Sequence, residues 1–150
     1  MDVECTCSAL RMAARRLSQS FDAALAPEAV SVSQYAVLSN LAKRHTASPP
    51  TVGELAEALT LDRTTLTHNL RPLERDGLVS LVDDEVDRRL RRVALTAAGR
   101  AKRERCLPLW REAQARFDDR FGLEPSRALR ASLVAIARQS DAPPTTLGEM

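Results

Sequence analysis

Aromatic residues are scarce in this 150-residue chain: 3% of it, as Phe21, Tyr35, Trp110, Phe117 and Phe121. None clusters in a short motif, which removes the stacking platforms on which single-stranded nucleic acid is read. Cysteine is equally sparse. Cys5, Cys7 and Cys106 make no disulfide framework, so the reducing cytoplasm is the expected compartment. The five glycines, Gly53, Gly77, Gly99, Gly122 and Gly148, are scattered and form no phosphate-cradling loop. His45 and His68 lack metal-site spacing, and no Ser or Cys nucleophile motif is visible. No catalytic residue, cofactor or metal site is therefore expected, and the chain is not read as an enzyme. The longest uncharged stretches are too short to cross a bilayer, and the N-terminus lacks a basic region followed by an apolar run. No membrane partner and no secretory signal are expected.

What the chain has is charge in local blocks. Charged residues make up 28%, yet the net charge is only +2, with a pI near 8.6. A global field will not drive nucleic-acid binding, so any such site must come from local segregation. Only Lys43 and Lys102 are lysine; the remaining cations are arginine. Arginine suits bidentate recognition of phosphate and guanine. A GC-rich genome, which raises Arg and Ala together, explains the bias equally well.

Apolar periodicity lays out the elements. Leu10, Ala14, Leu17, Phe21 and Leu25 predict an amphipathic helix from about Cys7 to Ala26, ended by Pro27. Ser31 and Gln34 form a capping box before a helix with Tyr35, Leu38 and Leu41 on its apolar face. His45 to Pro50 reads as a loop. Thr51 and Glu54 cap a short helix buried through Val52, Leu55, Ala56 and Leu59. Asp62 caps the next, which runs to about Asp76 and stops at Gly77, with Leu66, Leu70 and Leu73 as its core stripe. Period two then takes over. Leu78 to Val82 and Leu90 to Leu95 read as strands around a charged tip from Asp83 to Arg89. Thr96 caps a long helix from about Ala97 to Phe121, kinked by Pro108; Pro125 opens a last helix with Leu129, Leu133 and Ile136.

The order helix, helix, short turn, helix, hairpin is that of a winged helix-turn-helix, in which one helix braces the backbone and the next enters the major groove. The fold class is mainly α with a small β-hairpin wing. In the reading helix, Leu66, Leu70 and Leu73 face inward, and steps of about 100° per residue put Thr64, His68, Arg71 and Arg75 opposite, with Thr67 at the border. Short hydroxyls approach a base edge or phosphate closely, and His68 and Arg71 reach guanine O6 or N7. A solvated face of an ordinary core helix looks the same. Pro72 removes one backbone hydrogen bond and should bend the helix near His68. Between Arg88 and Arg103 the basic residues are Arg88, Arg89, Arg91, Arg92, Arg100, Lys102 and Arg103, with four acidic residues, Asp83, Asp84, Glu85 and Asp87, before them. Adjacent arginines at a wing tip fit a narrow minor groove, and Asp87 is expected to hold one of them in place. The plain alternative is cross-strand ion pairing.

Taken in order, Leu55-Ala56-Glu57-Ala58-Leu59, Asp62-Arg63-Thr64-Thr65-Leu66-Thr67, Leu73-Glu74-Arg75-Asp76-Gly77-Leu78-Val79, and Asp87-Arg88-Arg89 followed by Val93-Ala94-Leu95-Thr96-Ala97-Ala98-Gly99 resemble the MarR family of multiple antibiotic resistance regulators. The resemblance runs from about Cys7 to Phe121. It implies an obligate homodimer on a pseudo-palindromic operator in double-stranded DNA, and a ligand- or redox-responsive repressor. DNA contact is assigned to Arg63, Thr64, Thr65, Thr67, His68, Arg71, Arg75, Asp87, Arg88, Arg89 and Arg91. His68 stands where many relatives carry arginine, so no operator sequence transfers.

Four segments are expected: residues 1–30 as an N-terminal dimerisation helix, 31–96 as the DNA-binding lobe, 97–140 as C-terminal dimerisation helices, and 141–150 as a loose tail. The resemblance also implies a cleft for a small aromatic effector, for which Phe21, Tyr35 and Trp110 are the aromatic candidates; as core residues they need no ligand. Cys5 and Cys7, at a helix start, are candidates for sensing an oxidant or a soft metal, with Cys106, from the long helix of either subunit, as a third ligand; otherwise they are bystanders. The rival reading is a winged helix that binds only protein. Salt dependence separates the two, because neutralising phosphates makes DNA affinity fall steeply with salt.

Overall fold

The structure is a computed structural model and describes residues 4–44 and 48–139. His45 and the expected loose tail lie outside the described residues. Among the described residues six helices and one hairpin follow in the expected order: α1 (Thr6–Leu25), α2 (Val32–Lys43), α3 (Val52–Ala58), α4 (Arg63–Arg75), β1 (Val79–Asp83), β2 (Arg91–Leu95), α5 (Ala97–Phe121) and α6 (Leu123–Arg138). A 3-10 turn, Ala26–Glu28, joins α1 to α2.

The caps form as their residue types require. Ser31 accepts from the Gln34 N–H while the Gln34 side chain accepts from the Ser31 N–H, and Thr51 and Glu54 repeat the exchange at α3. At the end of α4 the Gly77 N–H donates to Glu74 O and the Leu78 N–H to Leu73 O, with Gly77 at φ 71°. This closure of orphan carbonyls needs a left-handed residue, which glycine supplies. It also occupies Leu78, so β1 starts at Val79, one residue later than the alternation predicts. The two strands are antiparallel, in register from Val79 opposite Leu95 to Asp83 opposite Arg91.

Leu66, Leu70 and Leu73 are buried on α4, against Val37, Leu38, Leu41, Leu55 and Val93 from the neighbouring elements. A second buried group gathers Leu25, Val30, Tyr35 and Cys106, with Trp110 packed on it. Both prolines expected to bend helices lie inside unbroken ones, Pro72 in α4 and Pro108 in α5. Pro125 does not open the last helix. α6 begins two residues earlier, after Gly122 at φ 94°. Pro125 is then in the first turn, where its missing N–H has no intrahelical acceptor to lose.

The chain divides into two compact units, with the boundary after Ala113. In the second unit the Asp118 carboxylate gathers the Ser126 hydroxyl, the Gln114 amide and the Arg130 guanidinium, tying the end of α5 to α6. No helix among the described residues is long and apolar enough to cross a membrane.

Candidate nucleic-acid interface

Asp62 sets the start of α4. Its carboxylate accepts the Thr65 N–H at 2.8 Å and the Thr65 hydroxyl at 2.6 Å, and these bonds hold its pKa below the usual range. Thr65 is thereby committed to the cap. Arg63 lies against the first turn of α3: a Cβ added at Gly53 would stand 2.9 Å from Arg63 Nη2. The outward face of α4 is exposed, and Arg63, Thr64, Thr67, His68 and Arg71 line a shallow hollow of about 360 Å³. The Thr67 hydroxyl donates back to the Arg63 carbonyl at 2.7 Å, leaving its oxygen lone pairs outward. Arg75 turns to the adjacent Asp76, Nε to Oδ1 at 2.9 Å. The face therefore runs from Arg63 to Arg71, with Arg75 held at its edge.

The hairpin sorts its arginines. Arg91 folds back along β1, with Nη2 3.2 Å from Leu81 O and Nε 3.8 Å from Asp83. Arg92 pairs with the buried Asp84. Arg88 and Arg89 are exposed at the tip. The expected clasp between Asp87 and an arginine side chain is replaced by a backbone bond: Asp87 Oδ1 accepts the Arg89 N–H at 3.0 Å. A short carboxylate reaches the N–H two residues on more readily than a guanidinium. Cross-strand pairing thus accounts for Arg91 and Arg92. The basic run divides further, since Lys102 donates to the Glu28 carbonyl at 3.1 Å and to its carboxylate at 3.2 Å, alongside Arg105 at 3.0 Å.

The sequence does not single out Asp84 and Arg92 as partners. Asp84 looked like one of four acidic tip residues, and Arg92 like one of several exposed cations. Only the β register, which sets Arg92 opposite Val82 and beside Thr51, brings them together.

The other candidates separate. Trp110 is 6.5 Å from Phe21 and 6.0 Å from Tyr35 between ring centroids. Leu17, Phe21, Val32 and Trp110 help line an open apolar groove of about 270 Å³, while Tyr35 is buried in the adjoining core. Cys5 occupies the position just before α1 and Cys7 lies in its first turn, both exposed. Hydrogen bonds from the Ser8 backbone and hydroxyl lower the Cys5 pKa. Cys106 is buried beside Leu25, at the other end of α1, on the order of 30 Å away along the helix. It cannot be the third ligand of a site at Cys5 and Cys7 in the same chain. Burial raises its pKa, and the Glu28 charge adds to the effect. Among the described residues no three His, Cys, Asp or Glu side chains converge as a metal site.

Known proteins match this arrangement. Residues 30–90 fit the family model described as MarR family. A segment of 91 residues, 61% of this chain, is 38% identical to the transcriptional activatory protein BadR of Rhodopseudomonas palustris, and covers 52% of that protein. The chain thus spans about half the length of this curated relative. The crystal structure of the M. tuberculosis transcriptional regulator MosR in complex with DNA superposes with a TM-score of 0.75 at 34% identity, over 89% of this chain and 95% of that one. The transcriptional repressor CouR bound to a 23-mer DNA duplex gives 0.79 at 29% identity, over 90% and 94%. The order of helices, the two-stranded hairpin and these matches together place the chain in the MarR family of winged-helix transcriptional regulators.

Proposed function

We propose that the chain is a cytoplasmic repressor that binds a pseudo-palindromic operator as a homodimer, with α4 in the major groove and Arg88 and Arg89 in the minor groove. The observation that carries this reading is the outward face of α4. From Arg63 through Thr64 and His68 to Arg71 it presents donors and hydroxyls and no large apolar side chain, beside a hairpin whose tip carries two exposed arginines. Relatives with the same fold, MosR and CouR, have been captured on DNA. Residues 1–30 and 97–140 supply the dimer contacts, for which exposed Phe121, Leu123, Val134 and Ile136 provide apolar surface, and residues 31–96 supply the reading lobe.

The test is a fluorescence anisotropy titration onto the duplex upstream of the chain's own gene, with a scrambled duplex as control. Tight binding that prefers the native duplex and falls on the order of 10³-fold or more between about 50 and 200 mM salt is the expected result. No binding to either duplex at low salt would move protein interaction to first place.

The signal that releases DNA is a small aromatic compound in the groove beside Phe21 and Trp110. The groove's volume, about 270 Å³, lies near the lower end for ligand sites, about 300 Å³. Loss of duplex binding on adding such compounds, abolished by Trp110→Ala, checks this. Cys5 favours a second signal, because its lowered pKa raises the reactive thiolate fraction. A hydroperoxide transfers one oxygen to the exposed Cys5 thiol, giving a sulfenic acid and leaving an alcohol. A Cys5→Ser/Cys7→Ser variant that still responds to peroxide like wild type removes that reading.

A further inference from the structure

Asp84 is the one acidic residue of the hairpin tip turned inward, only 7% exposed. Its Oδ1 accepts the N–H groups of Val86 and Asp87, each at 2.9 Å, and its Oδ2 receives Arg92 Nε. The same guanidinium reaches the other way, Nη1 donating to the Pro49 carbonyl at 2.6 Å. Backbone bonds run beside this link: Thr51 bridges Arg92, and the Val93 N–H donates to Pro50 O at 2.8 Å. Beyond Asp84 the order continues into the tip. The Asp84 N–H donates to Leu90 O, the Leu90 N–H to Asp87 O, and the Arg89 N–H to the Asp87 carboxylate. An uninterrupted path therefore joins the segment entering α3 to the backbone that carries Arg88 and Arg89.

A two-stranded ribbon alone is marginal in water. Its tip would sample many orientations, and binding would have to order it at a free-energy cost. The Arg92 fork removes that freedom, because one planar group bonds the tip carboxylate and the Pro49 carbonyl at once, which a lysine ammonium on a flexible stem does not reproduce. We infer that Asp84 and Arg92 are positioning residues for DNA binding: they hold the wing tip so that Arg88 and Arg89 meet the minor groove already ordered. The inference rests on the DNA-reading function proposed above.

Two readouts test it on the full chain. The first is amide exchange of the free protein by NMR. Asp84→Ala should speed exchange at Val86, Asp87 and Arg89 by about tenfold or more, while Leu66, Leu70 and Leu73 keep their protection. The second is anisotropy on a random-sequence duplex across salt concentrations. Asp84→Ala and Arg92→Lys should each weaken binding about tenfold and reduce the salt slope by about 1. In an Arg88→Ala/Arg89→Ala background, Asp84→Ala should cost nothing further, an effect that general destabilisation would not produce. Should Asp84→Ala unfold, Asp84→Asn keeps the acceptor for the two tip N–H groups and removes only the charge facing Arg92. Unmoved tip amides, or losses that simply add in the arginine-free background, overturn the inference. Failure of the wild type to bind the duplex overturns the DNA reading and this role with it, and the exchange data still report whether the anchor orders the tip.

Discussion

At α4 and the wing, the exposed polar side chains differ in what they have left to offer a ligand. The Thr65 hydroxyl is used by the Asp62 cap and the Thr67 proton by the Arg63 carbonyl, whereas Thr64, His68 and Arg71 line the open hollow. Base edges are read by groups of the second kind, and phosphates by cations that need no particular base. Arg89→Ala should therefore weaken operator and random DNA alike. Thr64→Ala or Arg71→Ala should mainly erode discrimination, by about 1–3 kcal/mol each for a lost base contact. Parallel anisotropy titrations on both duplexes check the division. The cysteines differ by environment in the same way. Native protein treated with iodoacetamide at neutral pH should be alkylated at exposed Cys5 ahead of Cys106, whose buried thiol has a raised pKa and should react only on unfolding. Peptide mass spectrometry after timed quenching measures the order.

At the element scale, the junction of hairpin and long helix explains why Leu95-Thr96-Ala97-Ala98-Gly99 has the residues it has. The Thr96 hydroxyl accepts the Gly99 N–H at 3.0 Å and lies 2.7 Å from Gly77 O and 3.0 Å from Leu78 O, so one side chain caps α5 and ties it to the end of α4. Gly99 is there because nothing larger fits: a Cβ would fall 1.9 Å from the Leu78 carbonyl oxygen, which is backbone and cannot step aside. Gly99→Ala should destabilise by about 2 kcal/mol or more, the upper part of the overpacking range, and lower the melting temperature by about 5 °C or more in a calorimetric scan. The hairpin tip carries its own pH signature. The N–H groups of Asp87 and Val86, then Arg92, hold the Asp84 carboxyl below its ordinary pKa. A group lowered on folding adds stability that is complete above its unfolded pKa, about 3.9, and is lost as pH falls through the folded value. The Asp84 side-chain carboxyl carbon shift, followed by NMR, should therefore titrate only below about pH 4; a midpoint above about pH 4 contradicts the bonding described.

At the scale of the whole molecule, the apolar side chains exposed near the C-terminus, Phe121, Leu123, Val134 and Ile136, mark surface that a second copy would cover. A homodimer predicts two half-sites whose centres lie about one helical turn, 10–10.5 base pairs, or a multiple of it apart. Val134→Asp/Ile136→Asp should shift sedimentation equilibrium toward monomer and weaken operator binding more than it disturbs the reading lobe. Monomeric behaviour of the wild type at micromolar concentration would remove the two-fold reading.

Much of this is legible in the sequence, because local rules govern it. The capping boxes at Ser31 and Thr51, the Asp62 cap, the leucine stripe of α4 and the stop at Gly77 are set by neighbours a few residues apart, which the sequence displays directly. The alternation around the charged tip likewise showed the hairpin, and the order of elements showed the winged helix. What the sequence could not display was which of many like-charged residues would meet. Asp84 rather than Asp87 holds an arginine, Lys102 faces Glu28 rather than solvent beside the wing, and Cys106 is sealed at the far end of α1 from the other two thiols. Those pairings join positions eight to seventy-four residues apart for Asp84 with Arg92 and Glu28 with Lys102. Strand register and helix packing choose among them, and each is a property of the folded backbone rather than of any local run of residues.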